Sequence, residues 1–388
     1  MGGVPIPAMH AASALGASLE AARRALFDDD RPLGPPPFEI PLRTVCGVVP
    51  GPLPAPPPSL RAFDGRQARI ALAAAEPLVG AVARAATRYG ADRVGLVVGS
   101  STGGVRATER ALQEAGFEPP LPAWFDYDRM HAMHGTLEFL RRVLGVRGPA
   151  TVVSTACSSS GKALGTAKRW IEAGVADAVV AGGVDSLCAL TLRGFAALGV
   201  LSGRPCRPFS AERDGINLGE AAAFVLLDPG ADAPVRLLGV GESSDAHHMS
   251  APDPSGAGAA AAMRAALDDA GIEPGAVGYV NAHGTGTTQN DDAEARAVVE
   301  VLGPAVPVSS TKAKTGHTLG AAGALEAVLT LLCLQDGRYP PSLGAEPIDG
   351  AIECAVARAP GPIDPPVAIS NSFAFGGSNV AVVLGRTP

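Results

Sequence analysis

VSTACSSSGKALGTA, residues 153–167, passes from the end of an apolar, β-branched run (Thr151 to Val153) into a segment whose apolar positions Leu164, Ala167 and Ile171 recur at helical spacing. The chain carries a second version of it. Sliding the sequence by 155 residues sets VSSTKAKTGHTLGAA, residues 308–322, over the first stretch without a gap, and six of the fifteen positions are identical. A strand-to-helix unit that occurs twice predicts two similar halves packed about a pseudo-twofold. The superposition sets Cys157 opposite Lys312 and Lys162 opposite His317, near an interface shared by the halves.

The same alternation runs outward from these two stretches. RVGLVVGSSTGG reads as a buried strand entering a glycine-rich turn, DAVVAGG and AAAFVLL as further buried strands, and AAMRAALDDAG followed by YVNAHG as a helix and the next strand. Near-continuous apolar strands alternating with helices predict an α/β fold with sheets covered on both faces. ARIALAAAEPLVGAVARAATRYG predicts a helix closed by Gly90. Residues 32–58 hold 11 of the 35 prolines, and proline fixes φ and removes a backbone donor, so this tract is expected to wrap the surface as a loop. No first core strand is visible in the N-terminal ninety residues. The halves are expected at 1–230 and 231–388.

Cys157 falls at the start of the expected helix, near unpaired backbone N–H groups and the positive end of the helix dipole, which favours thiolate. Two of the seven histidines, His283 in NAHGTGTT and His317 in TKAKTGH, sit in glycine- and threonine-rich turns after strands, where loops carry function. The chain has 27 arginines and only 4 lysines, yet Lys312 and Lys314 share one short segment. A site that needs a compact ammonium does not accept a guanidinium.

Composition narrows the alternatives. A chain of 388 residues, 47% apolar, with net charge −7 and no basic run is expected to bind no nucleic acid. MGGVPIPAMHAASALG lacks the basic start of an export signal, and residue 6 is not the Ser/Thr of a myristoylation signal. With no uncharged apolar run of bilayer length, the expectation is no membrane and a cytoplasmic location. The six cysteines are scattered and predict no disulfide framework. GTGTTQ has only two glycines of a dinucleotide fingerprint, SSSGK lacks the frame of a phosphate loop, and no G-x-S-x-G occurs. A Cys/His/His zinc site lacks closely spaced ligand pairs, so no metal is expected.

STACSSSG, NAHGTGT, SSTKAKTGH and NSFAFGGSN, in that order, resemble the signature blocks of the β-ketoacyl-acyl carrier protein synthases, and CRPFSAERDGINLGEAA and SSDAHHMSAPDPSG resemble further family segments. The resemblance runs from about residue 90 to the C-terminus. It implies the thiolase fold, five layers αβαβα built from two similar halves, and a decarboxylating condensation that uses no cofactor, the substrates riding on the phosphopantetheine of acyl carrier protein. It implies that Cys157 takes the acyl group, that His283 and His317 as neutral donors stabilise the malonyl-derived enolate, and that Lys312, partnered by Glu294, orients them. Backbone N–H groups of Cys157 and Phe375 would form the oxyanion hole. Thr285, Thr287 and Ser250 would hold pantetheine. Thr102, Phe195, Phe375 and Ala374 would line or gate the acyl pocket, Ala374 standing where the family has a more mobile glycine and Thr102 adding a polar hydroxyl. STACSSSGKALG with GGVDSLCALTLRGF and CRPFSAERDG looks most like synthases of aryl-polyene-type pathways. A dimer is implied, with itself or with a chain-length-factor-like partner, with ADAVVAGGVDSLCALTL as the strand material of the interface. The alternative is that this chain is itself a non-catalytic chain-length partner, but such partners lose the cysteine, and Cys157 is present with His283, Lys312 and His317.

Overall fold

A computed structural model describes residues 2–387. One sheet holds five strands in the order Ala8–Ala12, Ala221–Leu227, Ala178–Asp185, Val94–Gly99, Ala150–Val153. The first two contacts in that order are antiparallel and the last two parallel. The second sheet repeats this pattern with Val235–Ser244, Ser378–Arg386, Val367–Ala374, Tyr279–Asn281 and Pro307–Ser309. It carries an extra edge on each side, Val4–Pro5 and Ala355–Val356, so residues 4 and 5 pair within the sheet of the C-terminal half.

Between the sheets lie the helices Ser159–Glu172 and Ala322–Asp336, which share one apolar cluster with strands of both sheets. Their closeness rests on glycine: a Cβ on Gly323 would meet the Gly161 backbone nitrogen at 2.6 Å. Outer clusters cover the far face of each sheet, one with the helices Arg66–Ala75 and Val79–Tyr89, the other with Ala257–Ala270 and Thr288–Leu302. Helix, sheet, helix, sheet and helix make five layers.

The repeated sequence register is only approximate. Ala150 and Pro307 open equivalent strands and Ser159 and Ala322 open equivalent helices, and neither interval equals the 155 residues of the sequence echo. The second half inserts the short helix Lys312–Thr315 and a 3-10 turn at Leu319–Ala321 before its central helix. The missing first strand is Ala8–Ala12, AMHAA, alanine-rich and without β-branched residues, and held as a strand by its pairing to Ala221–Leu227.

Two further expectations are corrected. The strand inside ADAVVAGGVDSLCALTL, Ala178–Asp185, is fully buried between two neighbours and offers no edge; the edge strands of its sheet are Ala8–Ala12 and Ala150–Val153. The proline tract is not all surface, because Cys46 and Val49 are buried. Two helical runs, Arg66–Tyr89 and Leu319–Asp336, are long and apolar enough to cross a bilayer by length and composition; the second is the buried helix between the sheets.

Candidate active site

The chain enters the site through a strained turn. Ala156 has φ +51°, a region costly for alanine. Ser159 Oγ accepts from the Thr155 N–H (2.9 Å) and donates to the Ala156 carbonyl (2.6 Å), while Ser158 Oγ donates to the Thr155 carbonyl (2.8 Å). These bonds hold Cys157 just ahead of the helix Ser159–Glu172, with its sulfur 2.8 Å from His317 Nε2. Cys157, His283 and His317 all border one cavity.

His317 lies beyond Lys312–Thr315, fixed by its backbone: its N–H donates to the Asn217 carbonyl (2.7 Å) and its carbonyl accepts from Gly219 (2.9 Å). The His283 ring stands edge-on to that of His317, centroids 5.1 Å apart. Behind them Lys312, wholly buried, places Nζ 3.3 Å from His283 Nδ1. An ammonium has no lone pair to offer, so His283 Nδ1 must accept and the ring proton sits on Nε2. His317 Nδ1 has no partner among the described residues, and a proton on its Nε2 points at the sulfur.

The carboxylate that pairs with Lys312 is Glu326, in contact with Nζ from the helix Ala322–Asp336. This corrects the assignment of Glu294. Glu294 instead accepts from the N–H groups of His283 (2.8 Å) and Gly284 (2.7 Å) and from the Asn371 side chain (3.2 Å), so it shapes the histidine's turn. Glu326 was legible as the one charged residue in the buried run Ala322–Leu334, a group that must find a partner there.

Burial dominates the electrostatics. It pushes both histidines well below their ordinary range, with Lys312 adding to the effect, so both rings are neutral. It pushes the Cys157 thiol up to about 12 against the pull of Lys312, and the carboxyls of Glu294 and Glu326 up to about 7. Burial thus opposes the thiolate that the helix start favours. Nucleophilic attack therefore has to be coupled to loss of the thiol proton. The arrangement can direct two neutral N–H donors at an oxygen placed beside a thiol, with a buried ion pair behind them.

Phe195 and Phe375 stack across the cavity, centroids 5.6 Å apart, with Phe375 partly exposed. Neither the Cys157 nor the Phe375 backbone N–H donates to another residue among those described, so both are free to meet a developing oxyanion. Ala374 ends the strand Val367–Ala374 without a left-handed backbone, and the left-handed residues of the loop are Gly376 and Gly377. Alanine at 374 thus imposes no strain in this conformation. Thr285 and Thr287 share a hydroxyl contact of 2.9 Å, and they border the cavity with Ser250. Thr102 does not border it. Its hydroxyl donates to Asp185 (2.8 Å), a buried carboxylate that also accepts from Ser100, Ser101 and Gly320, so the expected polar pocket wall is absent there.

Residues 56–233 match the family model described as "Beta-ketoacyl synthase, N-terminal domain" and residues 235–346 its C-terminal counterpart. The chain is 40% identical over 322 residues to the 3-oxoacyl-[acyl-carrier-protein] synthase 2 of Vibrio harveyi, covering 77% of each chain. Among solved structures it resembles the ketosynthase ApeO, in complex with its chain length factor ApeC, from Xenorhabdus doucetiae (TM-score 0.91, 38% identity, 99% of this chain and 98% of that one). A β-ketoacyl synthase from Burkholderia phymatum superposes over the full length of both chains (TM-score 0.91, 32% identity). The repeated sheet order, the two matching models and these relatives agree: the chain has the thiolase fold and belongs to the β-ketoacyl synthase family, as a condensing acyltransferase of fatty acid or polyketide synthesis.

Proposed function

We propose that Cys157 receives the acyl group from acyl carrier protein and that His283 and His317 drive decarboxylation of malonyl-acyl carrier protein. The observation that carries this is one cavity shared by a thiol and two neutral imidazoles, with a buried Lys312–Glu326 pair behind them. Thiol attack on the incoming thioester gives a tetrahedral adduct whose oxygen meets the N–H groups of Cys157 and Phe375; its collapse breaks the carbon–sulfur bond to the carrier, the pantetheine thiolate leaves with the proton given up by Cys157, and splitting the condensation in two makes each step easier. The malonyl thioester carbonyl then lies between the two imidazole N–H donors, which hold the enolate oxygen as carbon dioxide leaves. Imidazolium would protonate that enolate, so the burial that keeps both rings neutral supports the assignment.

Thr285, Thr287 and Ser250 hold the phosphopantetheine arm, and no other cofactor takes part. Phe195 and Phe375 gate the acyl pocket. The protein works in the cytoplasm, in an aryl-polyene-type pathway, with a chain-length-factor-like partner of the same fold. The edge strand Ala150–Val153, uncharged and only half-buried, supports the position of that partner, and the similarity to ApeO with its chain length factor supports its kind. Incubation with acyl-carrier proteins of varied chain length, followed by intact-mass and peptide analysis, is expected to place the acyl group on Cys157. An adduct on another cysteine, or none with any chain length, overturns the reading.

A further inference from the structure

Lys314, the second lysine of the Lys312–Thr315 helix, takes no part in the cavity. Its side chain is nearly fully buried and turns the other way, toward the N-terminal helix Leu19–Phe27. There Nζ meets four oxygens: the carbonyls of Ala25 (2.5 Å), Asp28 (2.6 Å) and Asp30 (3.1 Å) and the carboxylate of Asp28 (2.9 Å). The last carbonyls of a helix lack partners within it and carry its negative end, and a compact ammonium suits them.

The same N-terminal helix is bolted to the far end of the catalytic segment. Arg23 pairs with Asp336 and donates to the Gln335 side chain (2.7 Å), at the C-terminus of the helix Ala322–Asp336. Residues 312–336 carry Lys312, His317 and Glu326, so the helix Leu19–Phe27 spans the two ends of the stretch on which the buried pair and one imidazole are mounted. The strand Cys46–Gly47 that follows the first part of the proline tract closes over the same loop, where a side chain at Gly47 would run into the Thr315 carbonyl.

The geometry points to Lys314 as a positioning residue for decarboxylation, holding the loop between Lys312 and His317 against the N-terminal helix. Lys312 and Lys314 divide the work of one short helix: one orients an imidazole inside, the other anchors the helix outside. Loss of the anchor lets Lys312 and His317 shift relative to Cys157 and His283, and a displacement of about 1 Å costs on the order of 100-fold in rate.

The inference rests on the roles assigned to Lys312 and His317, and the two fail differently. Lys314→Met keeps the aliphatic stem and removes the donor. At a temperature well below its melting point it is expected to lower kcat for carbon dioxide release from malonyl-acyl carrier protein about 10- to 100-fold with KM little changed, while acylation of Cys157 proceeds. Asp28→Asn, which weakens one of the four contacts and keeps the fold if Lys314→Met does not, is expected to move kcat in the same direction by a smaller factor. Arg23→Ala loosens the other end, and it is expected to lower the melting temperature without changing kcat. Decarboxylation within twofold of wild type in both folded Lys314→Met and Asp28→Asn, or an equal loss in Arg23→Ala, overturns the positioning role. Decarboxylation retained in His317→Ala overturns the underlying assignment instead.

Discussion

Replacing Lys312 by Met is expected to injure the protein in two separable ways. The ammonium is wholly buried, and its side-chain contacts among the described residues are the Glu326 carboxylate and His283 Nδ1. Methionine fills nearly the same volume, so the loss is one of charge. Removing one partner of a buried ion pair costs about 3–5 kcal/mol. Burial already holds the Glu326 carboxyl up to about 7, so it can take a proton once its partner is gone, which puts the cost near the lower end, about 3 kcal/mol. Adding Glu326→Leu removes the stranded acid, and a buried pair exchanged for apolar groups of similar volume is often neutral or stabilising. The double variant should therefore recover most of the thermal stability. Decarboxylation should not recover, because His283 has lost the donor that keeps its proton on Nε2; a loss of about 10²–10³ is expected in single and double variants alike. Acylation of Cys157 should slow less, since Lys312 acts on the thiol only through its charge. Thermal melts, carbon dioxide release and intact-mass acylation on the four proteins of the cycle separate these effects. A double variant that decarboxylates within tenfold of wild type would refute the tautomer argument and leave the pair a packing device.

Two further outcomes follow from the buried titrations. With its thiol pushed up to about 12, Cys157 should be alkylated by iodoacetamide about tenfold faster per pH unit between 7 and 9, and a rate that levels off below pH 9 would mean the anion is better stabilised than its burial implies. Glu294 is held at about 7 against an ordinary 4.5, so its folded form binds more protons than the unfolded one; its contribution is fully present below pH 4.5 and is lost as pH rises to about 7. Glu294→Gln should accordingly gain on wild type by up to about 3 kcal/mol between pH 4.5 and 8 in urea titrations, and a pH-independent difference between the two proteins would contradict this.

The fold was legible wherever one strand alone buries its whole length. VGLVVG, AVVAGGVD and AAAFVLL are strands because nearly every residue in them is apolar or glycine, and each lies inside its sheet. AMHAA gave no such signal, since its strand state comes from a partner more than two hundred residues away. Position within a sheet was equally hidden: an apolar run says that a strand is covered on both faces but not whether both of its edges are paired. That is why a fully buried inner strand was mistaken for an interface, while the less conspicuous ATVV lies at an edge of the sheet.

The site shows the same division between what a side chain is and what surrounds it. Cys157, His283, His317 and Lys312 were legible because thiol, imidazole and ammonium are scarce in this chain and sit in small-residue turns. The choice between Glu294 and Glu326 could not be made from scarcity, since both are buried carboxylates near the histidines. It could have been made from company. Glu294 lies in a helix with Asp291 and Asp292 at its start and reaches back to two N–H groups of the preceding turn, which a carboxylate near a helix start is suited to do. Glu326 lies in a run from Ala322 to Leu334 in which every residue is buried and no other is charged. A carboxylate there has no water to turn to, so it must face a cation, and the uncommitted buried ammonium nearby is Lys312, because Lys314 is already surrounded by oxygens on the opposite side. The charge that faces the imidazoles is thus set by the least polar helix of the protein, and the rings it orients stay neutral for the same reason that helix is apolar: both are buried.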